Sequence, residues 1–255
     1  TRYIFRRKAV KGDLESDYSN HVEALTQPKK IDMVDVDAYE PDLTWGPKTF
    51  GIWDHNQKSW ESEKTFTDGA KVLFAPENPT VVLVNDTVKP QTVVVRGSGK
   101  ITLRNNGVIA GVTSVNKAGD GELVMNNDGN TYTGANVIHG GKVSFSSIAN
   151  GGEPSALGAP MEFAQNWIWD GGIWNYTGRN AATNRSAQLY NDTELDVNDG
   201  RVLTMNGTIN GQANVTFGGK GTIKPGSPAF FNYTGETILK DEAVLSLESL
   251  NSLID

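Results

Sequence analysis

Apolar and polar residues alternate over short stretches of four or five positions along most of this chain, and glycine, asparagine and aspartate separate the stretches. Thr80 to Val84, Gln91 to Val95, Lys100 to Arg104, Glu122 to Met125, Lys142 to Phe145, Glu194 to Val197, Arg201 to Thr204, Ala213 to Phe217, Gly221 to Lys224 and Ala243 to Leu247 each read as a strand. No stretch requires a long helix. Strands spaced by about 8 to 12 residues fit either a sandwich or a solenoid.

Repetition separates the two. Ile109, Gly111, Gly119, Gly121 and Leu123 recur as Ile209, Gly211, Gly219, Gly221 and Ile223, and Tyr132-Thr133-Gly134 finds an echo in Tyr233-Thr234-Gly235. A phrase repeated at an offset of 100 residues predicts one structural unit built more than once, which means a solenoid. Residues 80–255 are therefore read as stacked β-rungs, continuing past Asp255. Residues 49–79, with Trp53, Trp60, Phe66 and Phe74, are read as an aromatic cap covering the apolar stack at its first rung. Residues 27–48 hold Pro28, Pro41, Pro47 and an acidic run, and read as a linker. Residues 1–26 alternate in strand fashion around a Gly12-Asp13 turn.

Composition agrees with a chain that turns often: 28 of 255 residues are glycine. The net charge of -7 argues against nucleic acid as a partner, because nucleic-acid binders gather lysine and arginine on one face. The basic cluster Arg6-Arg7-Lys8 lies in a strand pattern and reads as a solvated face. With no cysteine, disulfides, thiolate metal sites and cysteine nucleophiles are excluded. No apolar run is long enough to span a bilayer as a helix, so direct membrane insertion is not expected.

The segments Gly119-Asp120-Gly121-Glu122-Leu123-Val124-Met125, Asn130-Thr131-Tyr132-Thr133-Gly134, Gly140-Gly141-Lys142-Val143, Ala156-Leu157-Gly158 and Asn175-Tyr176-Thr177-Gly178 resemble the autotransporter-associated β-strand repeat of bacterial surface and secreted proteins. The likeness covers roughly residues 50 to 255. Pro225-Gly226-Ser227-Pro228 and Val137-Ile138-His139 depart from its usual wording. Tyr3 to Val10, Ser16 to Asn20 and Val22 to Ala24 resemble the last two strands of a fibronectin type III domain, with Arg7 in a slot that is usually apolar. These resemblances imply an all-β fold, a right-handed parallel β-helix preceded by an incomplete fibronectin-like module. They imply a secreted or outer-membrane location at the surface of a Gram-negative bacterium. A fibronectin-like module before such a repeat is similar to the arrangement in large exported proteins that degrade polysaccharides, so the remaining part of the parent polypeptide and a polysaccharide are the expected partners.

Some side chains invite a chemical reading. Trp167 and Trp169 face the same way on a strand, and with Trp174, Asp170 and Asn175 they could form a platform on which sugar rings stack. The competing reading is that the indoles fill the core. Clusters at Asn126-Asn127-Asp128, Asn191-Asp192 and Asp196, Asn198 and Asp199 invite calcium, which takes six to eight oxygens, but none has an EF-hand pattern. Turn capping accounts for them, and no cofactor is expected. His21, His55 and His139 are scattered. Arg179, Arg185 and Arg201 could serve a β-helical lyase or glycosidase, yet no carboxylate pair stands near them at a recognisable spacing. Asp86-Thr87-Val88 resembles a triplet that carries O-glycans on some exported bacterial proteins. The expectation is a non-catalytic spacer or display region of an exported surface protein attached to polysaccharide-utilisation machinery. The alternatives are a carbohydrate-binding module using residues 167–174, a β-helical enzyme and an adhesin-like autotransporter passenger.

Overall fold

The computed structural model describes residues 33–46, 49–227 and 230–247 in full, together with the backbone of four short strands nearer the N-terminus. The cluster Arg6-Arg7-Lys8, the Gly12-Asp13 turn, Ser16 to Asn20, His21, Pro28, Pro47, Pro228 and everything after Leu247 lie outside the described residues. The chain divides into two units, residues 1–34 and 35–255. In the first unit Arg2–Phe5 pairs antiparallel with Val22–Leu25, and Val10–Lys11 with Leu14–Glu15.

The second unit is a parallel β-solenoid with three faces. The first face stacks nine strands: Leu43–Thr44, Lys71–Phe74, Thr92–Val95, Ser114–Lys117, Asn136–Ile138, Trp167–Asp170, Ala187–Asn191, Ile209–Gly211 and Phe231–Tyr233. The second stacks nine more: Phe50–Trp53, Thr80–Val84, Lys100–Arg104, Glu122–Asn126, Lys142–Phe145, Ile173–Tyr176, Thr193–Val197, Val215–Gly219 and Thr237–Leu239. On the third face Thr87–Val88 pairs with Val108–Ile109, and further along Ala181–Thr183, Val202–Met205, Thr222–Pro225 and Val244–Leu245 form a ladder. Every pairing in these stacks is parallel, as expected when each strand follows its neighbour by one full coil.

The register reveals the period. Lys100 stands beside Glu122, Thr193 beside Val215 and Val215 beside Thr237. Hydrogen bonds between successive rungs accordingly join residues 20 to 23 apart, with 22 in Ser144 to Glu122 and Asn214 to Asp192. One rung is longer: Asn175 bonds Ser144 across 31 residues, because residues 147–166 add length around a middle stretch, Ser155 to Pro160, that packs back into the core. The 100-residue offset is thus not the repeat. Leu123 stacks in order under Val143, Trp174, Leu195 and Phe217 on the second face, whereas Ile223 stands on the third face beside Leu203. All three faces use the same apolar-polar-apolar strand followed by a glycine corner, so one phrase recurs a third of a coil out of phase.

Inward residues are buried along the whole axis. Ile101, Leu123, Val143, Trp174, Leu195 and Phe217 form one apolar column, each at most 2% exposed. Burying each such side chain contributes roughly 1.5–3 kcal/mol, so the stack draws its stability from contacts with the rungs on either side. Below the first complete rung, Trp45, Trp53, Trp60, Phe66 and Phe74 pack edge-to-face and tilted, with neighbouring centroids 5.2 to 5.6 Å apart. The stretch read as a linker takes part in the stack. Leu43–Thr44 is the first strand, the Tyr39 hydroxyl donates to the carbonyls of Val72 and Thr92, and Arg96 donates to the carbonyl of Val36.

Corner glycines are required by contact between rungs. Gly141 has φ +69°, and a β-carbon there would meet the carbonyl oxygens of Gly119 and Gly121 in the rung before. Where the third face has no strand pairing, a side chain adds to the remaining backbone bonds. Asn130 accepts the Ile109 N–H at 3.0 Å and donates to the Ala156 carbonyl at 3.1 Å, so one amide carries the bonding across two rungs.

Candidate functional site

The five residues grouped by sequence as a sugar platform fall into three different surroundings. Trp167 and Trp169 do share one side of their strand, but that side faces inward: Trp167 stands between Asn136 and the next rung, Trp169 between Ile138 and Leu189. Trp174 comes in from the second face, between Val143 and Leu195. The three are at most 2% exposed. Trp167 meets Trp169 and Trp174 edge-to-face at 5.3 and 5.6 Å, and Phe145 adds a further T-shaped contact at 6.4 Å. No indole face reaches solvent, so this geometry offers nothing for a sugar ring to stack on. Alternation along a strand gave the shared side of Trp167 and Trp169. It could not say which side was inside.

Asp170 sits at the corner between the first and second faces. It accepts from His139 Nδ1 at 3.0 Å and from Asn191 Nδ2 at 2.8 Å, joining three successive rungs. Asn175 lies on the outer surface of the second face, where it donates to Ser144 Oγ at 2.9 Å. Ser144 donates to Glu122 at 2.6 Å, and Glu122 pairs with Lys100 at 2.9 Å. Both residues tie rungs together along the axis.

Three further polar arrangements escaped sequence reasoning, because each joins residues from different rungs. His55 bridges Asp86 at 2.5 Å and Asp68 at 3.1 Å. Its hydrogen bond to Asp86 raises the imidazole pKa above the usual histidine value against the opposing effect of burial, and Asp68 adds to the rise. Lys117 points inward. Its ammonium donates to the carbonyls of Ala118 at 2.6 Å, Gly119 at 2.8 Å and Gly140 at 3.3 Å, and burial pushes its pKa down to about 8. Arg185, 2% exposed, donates to the carbonyls of Leu157, Gly158 and Glu153, and burial lowers its pKa to about 10. It holds the base of the long loop, which is also clasped by reciprocal bonds from Gly151 to Asn184 and from Asn184 to Asn150.

Arg179 and Arg201 are not brought together with Arg185 around a carboxylate pair in any contact among the described residues. Among those residues no three histidines, aspartates or glutamates converge as a metal would need. A cavity of about 310 Å³ lies beside the first rungs, lined by Thr44, Trp45, Glu61, Pro76, Glu77 and Asn78. The site as a whole is an outer surface of charged and amide side chains that bond along the axis, with rings, Lys117 and Arg185 sealed inside.

Two relatives share sequence with this solenoid. It is 38% identical over 109 residues to the adhesin BmaC autotransporter of Brucella suis biovar 1, a match covering 42% of this chain and 3% of that protein. It is 28% identical over 156 residues to the probable autotransporter YfaL of Escherichia coli K12, covering 55% of this chain and 12% of that protein. The chain therefore spans a small part of the length of either relative. No family profile matches the chain, and no solved structure matches it at comparable significance.

Proposed function

We propose that this chain is a length of the β-helical passenger of an exported, adhesin-like surface protein of a Gram-negative bacterium, serving as a non-catalytic spacer that holds binding surfaces away from the cell. The observation that carries the reading is the match to an autotransporter adhesin over 109 residues, in a chain folded as a parallel solenoid. The physics of the stack supports it. Rungs bond along the axis through backbone ladders and through side chains such as Asn130, Asp170 and Lys117, which makes a stiff rod whose length can change by whole coils.

The test uses the full-length protein in its own host, with an epitope inserted between Gly151 and Gly152 of the projecting loop. Antibody should label intact cells, and protease added outside should remove the label. Adherence to a surface should fall when residues 80–216, a run of whole coils that brings Phe217 to the register position of Thr80, are deleted in frame while export persists. An epitope reached only after the cells are opened would overturn the exported reading, and unchanged adherence after the deletion would overturn the spacer role.

A further inference from the structure

The outer surface of the second face carries a column in continuous register: Lys100, Glu122, Lys142, Ile173, Glu194, Thr216 and Ile238. At one point two carboxyl groups stand together. Glu194 and Asp196 are alternate residues of one strand and so point to the same side. Both lean over Gly218 in the next rung, where a β-carbon would collide with Asp196 Oδ1 and Glu194 Oε1 at once. The missing side chain at 218 is the space the pair occupies.

The pair is incompletely bonded as two anions. Asp196 Oδ1 is buried, and no N–H or O–H group among the described residues reaches it. Two adjacent charges repel, and a buried unmet acceptor costs free energy. One proton held between the carboxyls removes both penalties by turning repulsion into a hydrogen bond.

We propose that Glu194 and Asp196 form a proton-sharing carboxyl pair whose contribution to the solenoid's stability is larger at mildly acidic pH than at neutral pH. The charged groups facing the pair come from two other rungs. Lys142 Nζ lies 3.6 Å from Asp196 Oδ2, and Lys240 Nζ lies 2.9 and 3.1 Å from the two oxygens of Glu194. Asp241 acts on Lys240, and Glu122 interacts with Lys142. The strands between, Ile173–Tyr176 and Val215–Gly219, bring no charged residue to the column, only Ile173, Asn175, Thr216 and Gly218.

The balance of these influences lifts the Asp196 carboxyl from 3.8 to about 6, through burial first and then the hydrogen bond and charge of Glu194, with Lys142 pulling the other way. The sign follows. Between those values the folded chain holds the proton that the unfolded chain has lost, so stability is greatest at the acid side and falls as pH rises toward 6.

The experiment is urea unfolding of the full chain and its Asp196→Asn variant from pH 4.5 to 7.5. His55 also loses its contribution as pH rises through its raised pKa, so the comparison between the two chains isolates Asp196. At pH 7.5 the variant's unfolding constant should be roughly a hundredfold smaller than wild type, which is what a rise of about two units in the folded carboxyl gives. The advantage should shrink toward acid pH, to a few-fold near pH 4.5, and vanish only below the ordinary value of 3.8. A second reading on the wild type is carbon-13 detection of the Asp196 carboxyl, which should titrate near 6 and move down in Glu194→Gln. A pH-independent difference between the chains, or an Asp196 midpoint below about 4.5, overturns the proposal.

Discussion

Arg185 donates from Nη1 to the carbonyl oxygen of Leu157 at 3.1 Å, across 28 residues of sequence and from inside the solenoid. Through this bond and those to Gly158 and Glu153, a buried cation replaces the backbone ladder that the third face lacks beside the long loop. Arg185→Met would leave the Glu153 carbonyl without this donor, while Leu157 and Gly158 would keep only their bonds from Asn136 and Ser155, at a cost of about 1–3 kcal/mol. Limited proteolysis of the variant should cut first within residues 147–160, while wild type resists there. Equal rates of cleavage in the two chains would show that the loop does not depend on the guanidinium.

Lys117 gives a pH dependence of known sign. Its ammonium, ordinarily near 10.5, loses its proton at about 8 in the folded chain. Between those values the unfolded chain binds more protons, so the contribution of this group to stability rises with pH. Relative to Lys117→Met, wild type should gain about 2 kcal/mol between pH 7 and pH 9.5. Burial raises the Tyr132 hydroxyl pKa, so both chains lose stability once unfolded tyrosine ionises near 10, and the comparison belongs below that pH. Chemical denaturation at the two pH values measures it.

Gly141→Ala should be among the most damaging single-methyl changes in the chain. The added carbon meets two carbonyl oxygens of the preceding rung and the Lys117 ammonium, at a φ of +69° that L-residues seldom adopt. About 2 kcal/mol or more should be lost. Gly200→Ala serves as the control, since it shares a positive φ of +66° but meets nothing within 4 Å, and it should cost about 1 kcal/mol.

Trp169→Ala should cost about 3–5 kcal/mol, the usual range for truncating a buried aromatic ring. Thermal melting should show the loss, and hydrogen exchange should quicken on the strands carrying Ile138 and Leu189, which flank Trp169. A variant that keeps wild-type stability would place the ring outside the core.

Much of the architecture was legible because the solenoid is written in short-range patterns. The strands at 80–84, 100–104 and 142–145 stand where alternation puts them, and glycine corners between them imply coils. The first face was harder to read. Ser114–Lys117 and Asn136–Ile138 place Lys117 and Asn136 inward, which breaks the apolar alternation. Both are polar because they bond backbone and side-chain groups within the interior, a role set by neighbouring rungs. The equivalence of the two phrases 100 residues apart misleads for a related reason: three faces with similar wording make Leu123 and Ile223 look equivalent, when Phe217 is the residue in the column of Leu123. The grouping of Trp167, Trp169 and Trp174 was visible, but the direction of a strand's sides depends on which way the coil closes.

The most direct test is a distance along the column from Lys100 to Ile238. Spin labels on Lys100→Cys and Ile238→Cys, both exposed positions, span six successive parallel pairings. At about 4.8 Å per rung the α-carbons should lie roughly 29 Å apart, and pulsed dipolar spectroscopy should return a single narrow distribution near that value. A distance under about 20 Å, or a distribution centred beyond about 40 Å, would contradict the stacked coil.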